Sequence, residues 1–206
     1  QILKSAVKTI QAVCPVTMAK GCKNDAELDG FRVAHHRDGL AMVEFLCWLD
    51  HEMQMPGAAI SESMIAAKLK AFRQQQEGFL VLSFHTIAAT GSNGAIVHYR
   101  ATEGEDRQLE ADDILLLDSG AHYDCGTTDI TRTIGIGTPP EGTATAFTHV
   151  LRAHISLAKT KFPQGTTGQQ LDAIARAPLW AAGMDFSHGV GHGVGHVLSV
   201  HEGPAS

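Results

Sequence analysis

LLLDSGAHYDCGTTDITRT, residues 115–133, is the stretch on which the fold of this chain turns. The apolar run Ile114 to Asp118 and the stretch Asp129 to Ile136 read as strands, and Asp124-Cys125-Gly126 between them reads as a hairpin turn. As arms of one hairpin they would bring Asp118 and Asp129, eleven positions apart, close together across the sheet. Two buried carboxylates at short range cannot both stay ionised without compensation, because each raises the pKa of the other. Metal cations are the simplest compensation. Turn-capping or solvated aspartates are the plainer reading of such a pair, and the pair alone does not decide between them.

A second stretch shifts the balance. HGVGHGVGHVLSVHEGP, residues 188–204, places His188, His192, His196 and His201 within fourteen positions. Glycines at 189, 191, 193 and 195 remove side-chain bulk between them and let backbone approach a ligand. In an extended segment residues four apart face the same way, so His188, His192 and His196 are expected to share a side. Not all of them can bind one ion, and some are expected to donate hydrogen bonds or act as general acids. Carboxylate oxygens with one imidazole suit Mn²⁺, Co²⁺ or Zn²⁺, and without paired cysteines a structural zinc site is disfavoured.

Outward from these stretches, Asn24-Asp25-Ala26-Glu27 carries the signature of a helix start. Leu28, Phe31, Leu40, Val43, Leu46 and Leu49 then recur at helical spacing, which predicts a long amphipathic helix over about 25–52. A second helix is expected from Ser61 or Ser63 through Ile65, Leu69 and Phe72, ended by Gly78. Strands are expected at 79–83 and 95–99, with Gly91-Ser92-Asn93-Gly94 as a turn, and helices at about 141–160 and 167–182. The stretch 187–203 reads as extended and glycine-punctuated. Blocks of helices and antiparallel strands give an α+β class.

The chain has 206 residues, 44% hydrophobic and 18% charged, a composition able to bury a sizeable core. A net charge of −6 with scattered Lys and Arg shows no footprint for nucleic acid, so no nucleic-acid partner is expected. Cys14, Cys22, Cys47 and Cys125 lack any CxxC spacing and read as reduced thiols. With no secretory leader and no run of 18 apolar residues, the expectation is a cytoplasmic protein without a membrane partner. The chain starts at Gln1 and stops at Ser206 in a glycine and proline turn, so neither end need be natural.

With SFHTIAATGSNGAIVHYRA (83–101) and PVTMAKGCKNDAELDGFRVAHHRDGLAMVEFLCWL (15–49) added, these motifs resemble the catalytic domain of the pita-bread metallopeptidases. Within that group they look most like the Xaa-Pro aminopeptidases, and the likeness covers nearly the whole chain. The resemblance implies a pita-bread fold around two divalent metal ions, usually Mn²⁺, and a peptide substrate with proline in the second position whose N-terminal residue is removed. Carried across by position, it implies metal ligation by Asp118, Asp129 and His192. It implies substrate and transition-state roles for His98, and active-site roles for His188 and His201. His196 matches no ligand and is expected to support the site or the fold. Arg132 is expected either to hydrogen-bond the carboxylates or to form a structural ion pair. His35, His36, His51, His85, His122, His149 and His154 match no ligand position.

The same resemblance calls for two further glutamate ligands downstream of HEGP, and the sequence ends before either. The chain is therefore read as a fragment, with 1–15 a stub of a preceding domain or linker and 16–206 a catalytic domain incomplete at its C-terminus. By itself it is expected to bind metal poorly and to be close to inactive. The parent is expected to be a homodimer. An Xaa-Pro dipeptidase or methionine aminopeptidase of the same fold is one alternative, and a non-catalytic pita-bread module that binds peptides or proteins is another.

Overall fold

In a computed structural model the chain is described at Ala12 and over residues 14–203. The expected stub at 1–15 lies for the most part outside the described residues. Helix α1 (Pro15–Gly21) and helix α2 (Asp25–Met53) come first, and α2 starts where the sequence places it. The Asn24 side chain accepts from the Glu27 N–H at 2.9 Å while the Glu27 carboxylate accepts from the Asn24 N–H at 2.9 Å, a reciprocal cap that fixes the helix start. Helix α3 (Glu62–Gln74) is capped by Ser61, whose hydroxyl accepts from the Met64 N–H.

Among the described residues eight short strands follow: β1 (Phe79–Leu82), β2 (Ile87–Thr90), β3 (Ile114–Ser119), β4 (Ala121–Tyr123), β5 (Gly126–Thr127), β6 (Ile130–Gly135), β7 (Gly193–Val194) and β8 (His201–Glu202). Helices α4 (Thr143–Lys159) and α5 (Gly168–Trp180) lie between β6 and β7 and pack on each other. The central sheet has the order β2-β3-β6, a second sheet β1-β4-β5, and β7-β8 is a small ribbon, all antiparallel.

Alternation along β3 divides the central sheet into two faces. Leu115 and Leu117 point one way, into a core built with Met42, Phe45 and Leu49 of α2, Ile65 and Leu69 of α3, Ala88 of β2, and Ile60 and Leu109. Asp118 points the other way. The register pairs Asp118 with Thr131 and Leu117 with Arg132, so Arg132 lies on the face opposite to Asp118. Its guanidinium donates to the Thr131 carbonyl. The expected support of the carboxylates by Arg132 is therefore corrected, and the cause is strand parity.

Strands β3 and β6 pair as expected, but they are not the arms of a simple hairpin. The chain between them makes its own β4–β5 hairpin in the other sheet, turning at Asp124-Cys125. The neck of this excursion is pinned by Thr128 N–H to Ala121 O at 2.8 Å, Ala121 N–H to Thr128 Oγ1 at 3.0 Å and Ser83 Oγ to Thr128 O at 2.9 Å.

One face of α2 receives the excursion. Gly30, Ala34 and Asp38 recur every fourth residue, and a Cβ at Gly30 would collide with the Cys125 carbonyl. At the far end Arg73 Nε and Nη2 donate to Asp38 Oδ1 and Oδ2 at 2.7 and 2.9 Å, and the Tyr123 hydroxyl donates to Oδ1 at 3.1 Å. Asp38 and Arg73 are both buried. Because a carbonyl cannot move aside as a flexible side chain can, Gly30→Ala is expected to destabilise the protein by about 1–3 kcal/mol, read as a lower urea midpoint at unchanged slope. An unaltered midpoint would show that α2 and the hairpin are not in close contact.

Two local expectations are corrected. The stretch 95–99 is not a strand: residues Gly91–Ala95 form a 3-10 turn and the chain turns again through Val97 and His98. The strand that pairs with β3 is instead β2, Ile87–Thr90, buried along its whole length. All four cysteines are free thiols. Among the described residues no helix is long and apolar enough to cross a membrane.

Candidate metal centre

Asp118 near the end of β3 and Asp129 just before β6 lie on the same face, since Asp129 is two residues from Thr131, the partner of Asp118. The Thr131 hydroxyl donates to Asp118 Oδ1 at 2.8 Å. Burial pushes the Asp118 carboxyl above its ordinary value; the Thr131 bond opposes this, and the Asp129 charge reinforces it.

His192 meets this pair. Its Nδ1 lies 2.7 Å from the Gly193 carbonyl, which can only accept, so the proton sits on Nδ1. That leaves the Nε2 lone pair 3.2 Å from Asp129 Oδ2. Two acceptors at this separation repel unless a proton or a cation lies with them, and an imidazole fixed through its other nitrogen is the orientation of a metal ligand. The donor set of two carboxylates and one imidazole therefore fits a divalent cation. It is a partial set, because among the described residues no three His, Cys, Asp or Glu side chains close into a group able to hold an ion.

The remaining histidines divide. The His201 ring packs edge-on against His192 with centroids 4.2 Å apart, so β8 brings His201 to the site. His98 lies in the segment after β2, near enough to Asp118 to oppose the upward shift of its carboxyl. His98 and Val197 both have positive φ, +57° and +53°, a conformation that non-glycine residues hold only where the surroundings enforce it. His188 is placed differently: its Nδ1 bonds the Gly189 carbonyl and its ring lies 4.7 Å from Phe186. The expectation that His188, His192 and His196 share one side is corrected. Only Gly193–Val194 and His201–Glu202 of this stretch are paired strand, and His196 turns away to donate from Nε2 to the Cys125 carbonyl at 2.8 Å.

That bond gives His196 a structural task. With the Val197 N–H, which donates to Thr127 Oγ1 at 2.9 Å, it staples the histidine segment to the β4–β5 hairpin, two residues before Asp129. Glu202 anchors the other end through ion pairs to Lys20 and Lys23. A supporting role for His196 was expected from the sequence, but the anchors at Val197 and Glu202 were not, and neither was Arg176. Its guanidinium donates to Asp172, to Asp185 at 2.9 Å and to the carbonyls of Phe186 and His188, and lies 4.1 Å over the Phe186 ring. The i,i+4 spacing of Asp172 and Arg176 was a visible signal for only the first of these bonds.

Asp118 supplies a pH prediction for the metal-free protein. A carboxyl whose folded pKa is raised binds more protons folded than unfolded, so its stabilising contribution is complete below the unfolded value of about 3.9 and is lost as pH rises through the raised folded value. Denaturation of chelator-treated protein is therefore expected to show stability falling across that window, and Asp118→Asn is expected to remove that part of the slope. An unchanged slope in the variant would contradict the burial of this charge.

The model of metallopeptidase family M24 matches residues 29–206. An Xaa-Pro aminopeptidase of Caenorhabditis elegans is 48% identical over 190 residues, covering 92% of this chain and 31% of the relative. The crystal structure of X-prolyl aminopeptidase from the same organism, described as a cytosolic enzyme with a di-nuclear active site, superposes with a TM-score of 0.87 at 47% identity. It is matched over 93% of this chain and 31% of that one. An Xaa-Pro dipeptidase from Bacillus anthracis superposes with a TM-score of 0.78 at 30% identity, over 92% of this chain and 50% of that one. The chain thus spans about a third of the length of the Caenorhabditis elegans aminopeptidase it matches.

Proposed function

The chain belongs to metallopeptidase family M24, with that family's α+β pita-bread fold, and on that premise we propose that it is part of a metal-dependent aminopeptidase removing the N-terminal residue from peptides with proline second. The observation that carries this reading is His192 Nε2 facing Asp129 Oδ2 at 3.2 Å beside the partly buried Asp118. The aminopeptidase is favoured over the dipeptidase by identity, 47–48% against 30%. Residues 16–206 are read as a partial catalytic domain.

Asp118, Asp129 and His192 would hold two divalent cations, most simply Mn²⁺, together with further donors. When bound, these supply Lewis acidity to the scissile carbonyl and its attacking water. His98 donates a hydrogen bond to the oxygen on which charge develops as the carbonyl becomes tetrahedral. His201, packed on His192, orients the peptide around the proline, and His188, whose ring is held at Phe186 and not against His192, takes a share in this by its position in the motif alone. Proline lacks an N–H and restricts the residue before it, so these side chains must set the angle of the scissile bond by contact and by hydrogen bonds to carbonyls. Gly193 O keeps the His192 proton on Nδ1 throughout. The homodimer and a cytosolic setting complete this reading.

Incubation of the full-length protein with Xaa-Pro and with Xaa-Pro-Yaa peptides tests it. The expected products of the tripeptide are free Xaa and Pro-Yaa, with the dipeptide cleaved far more slowly. Preferential cleavage of the dipeptide would assign the dipeptidase reading, and cleavage of neither would overturn the enzymatic one.

A further inference from the structure

Glu62, the first residue of α3, is fully buried, yet it takes no part in the chemistry described above. Its Oε1 accepts from the Thr90 N–H at 2.6 Å, Thr90 Oγ1 at 3.1 Å and Asn93 Nδ2 at 3.0 Å. Its Oε2 accepts from the Tyr99 hydroxyl at 2.6 Å, Asn93 Nδ2 at 3.1 Å and the Arg107 N–H at 3.1 Å. Every one of these donors belongs to a single segment, the one that leaves β2 at Thr90 and passes through the 3-10 turn to His98 and on to Arg107. A buried carboxylate at a helix N-terminus is held in its charged form by the helix dipole and by such donors. Here the donors gather one loop around one anion.

The loop ends where a constraint is needed. His98 has a φ of +57°, and the residue after it, Tyr99, is fixed at both ends: its N–H donates to the Ile96 carbonyl at 3.2 Å and its hydroxyl to Glu62. Asn93 donates a further bond to the Tyr99 hydroxyl at 3.0 Å. A left-handed histidine persists only where its neighbours over-determine it, and the bonds of Tyr99 to Glu62 and Ile96 fix the chain on its C-terminal side. We propose that the buried Glu62 and the half-buried Tyr99 form a positioning unit that holds His98 toward Asp118. The inference rests on the role assigned above to His98. The ionised partner leaves its mark on Tyr99, whose pKa is pushed up to about 12 by the hydrogen bond to Glu62.

The test is a double-mutant cycle in the full-length enzyme. Tyr99→Phe removes only the hydroxyl and is expected to lower kcat roughly 10- to 100-fold, the loss that follows when a catalytic group slips by about an ångström, with KM nearly unchanged. In a His98→Ala background the same substitution is expected to change kcat by less than about twofold, because there is no longer a histidine to misplace. Glu62→Gln, which keeps the shape and removes the charge, is expected to act in the same direction. Equal losses in both backgrounds would overturn the proposal. Should His98→Ala itself leave kcat unchanged, the oxyanion role fails while the positioning unit is still decided by NMR of histidine-labelled protein. The resonance lost in His98→Ala must shift or broaden in Tyr99→Phe, and an unmoved resonance overturns the proposal.

Discussion

Asp129→Asn in the full-length protein is expected to lower kcat/KM by more than about 100-fold, beyond the 10- to 100-fold range that follows removal of a group that only orients a ligand. The physical reason lies in the position of this carboxylate. It faces His192 Nε2 at 3.2 Å and sits close enough to Asp118 to bear on its charge, so it joins the two other donors of the set. Asparagine keeps the size and one oxygen but removes the anion, leaving a neutral amide where a divalent cation has to be balanced. The fold is expected to survive, because the excursion between β3 and β6 is pinned at Ala121, Thr128 and Ser83 and not through Asp129. Circular dichroism unchanged from the parent, with activity lost, is the expected pair of results. Retention of full activity would remove Asp129 from the site.

The second large effect is on stability. Asp38→Ala is expected to cost about 3–5 kcal/mol, because it leaves the Arg73 guanidinium buried without its counter-charge. That loss is comparable to the whole stability of many domains, so the variant is expected to unfold at much lower urea concentration or to accumulate as insoluble protein. Arg73 lies on α3, Asp38 on α2 and Tyr123 on β4, so the three-way bond joins both helices to the hairpin that separates the two aspartates. Tyr123→Phe removes only the third bond and is expected to cost about 1 kcal/mol. A near-neutral Asp38→Ala would show that Arg73 reaches water in solution.

The parts of the fold with a strong local signal were legible. Helices α2 and α3 announced themselves by caps and apolar spacing, and the boundaries of α2 agree within a residue or so with 25–52. The alternating β3 and its partner β6 were legible from the residues around Asp118 and Asp129. Strand β2 was not: Ile-Ala-Ala-Thr is buried on both faces, so nothing alternates, and its two central alanines carry little β preference. The opposite error fell on 95–99, where Ile96, Val97 and Tyr99 favour a strand locally. Tertiary contacts override them, since Tyr99 is taken up by Glu62 and Asn93, and Ile96 and Val97 are left exposed.

The site divides in the same way. His192 faces Asp129 at 3.2 Å and packs against His201, and Asp118 lies on the same face, but among the described residues no three of these side chains close into one group. What the spacing of the histidines could not show was direction, because glycines at every second position remove the regular strand on which a shared face depends. Parity could have placed Arg132 correctly, being one residue from Thr131 and so on the other face. Glu62, Asp38, Arg73 and Arg176 look like ordinary helix-surface charges in the sequence. Their roles arise from partners elsewhere in the chain: Thr90, Asn93, Tyr99 and Arg107 for Glu62, Arg73 and Tyr123 for Asp38, and the 185–188 loop for Arg176.

Manganese binding to the full-length protein, counted per chain and followed by electron paramagnetic resonance, tests the central claim most directly. The predicted result is two ions per chain with a spin-coupled signal in the parent, and loss of that signal in Asp129→Asn and in His192→Ala. A parent that binds no manganese or other divalent cation would contradict the account, as would a coupled signal that persists unchanged in both variants.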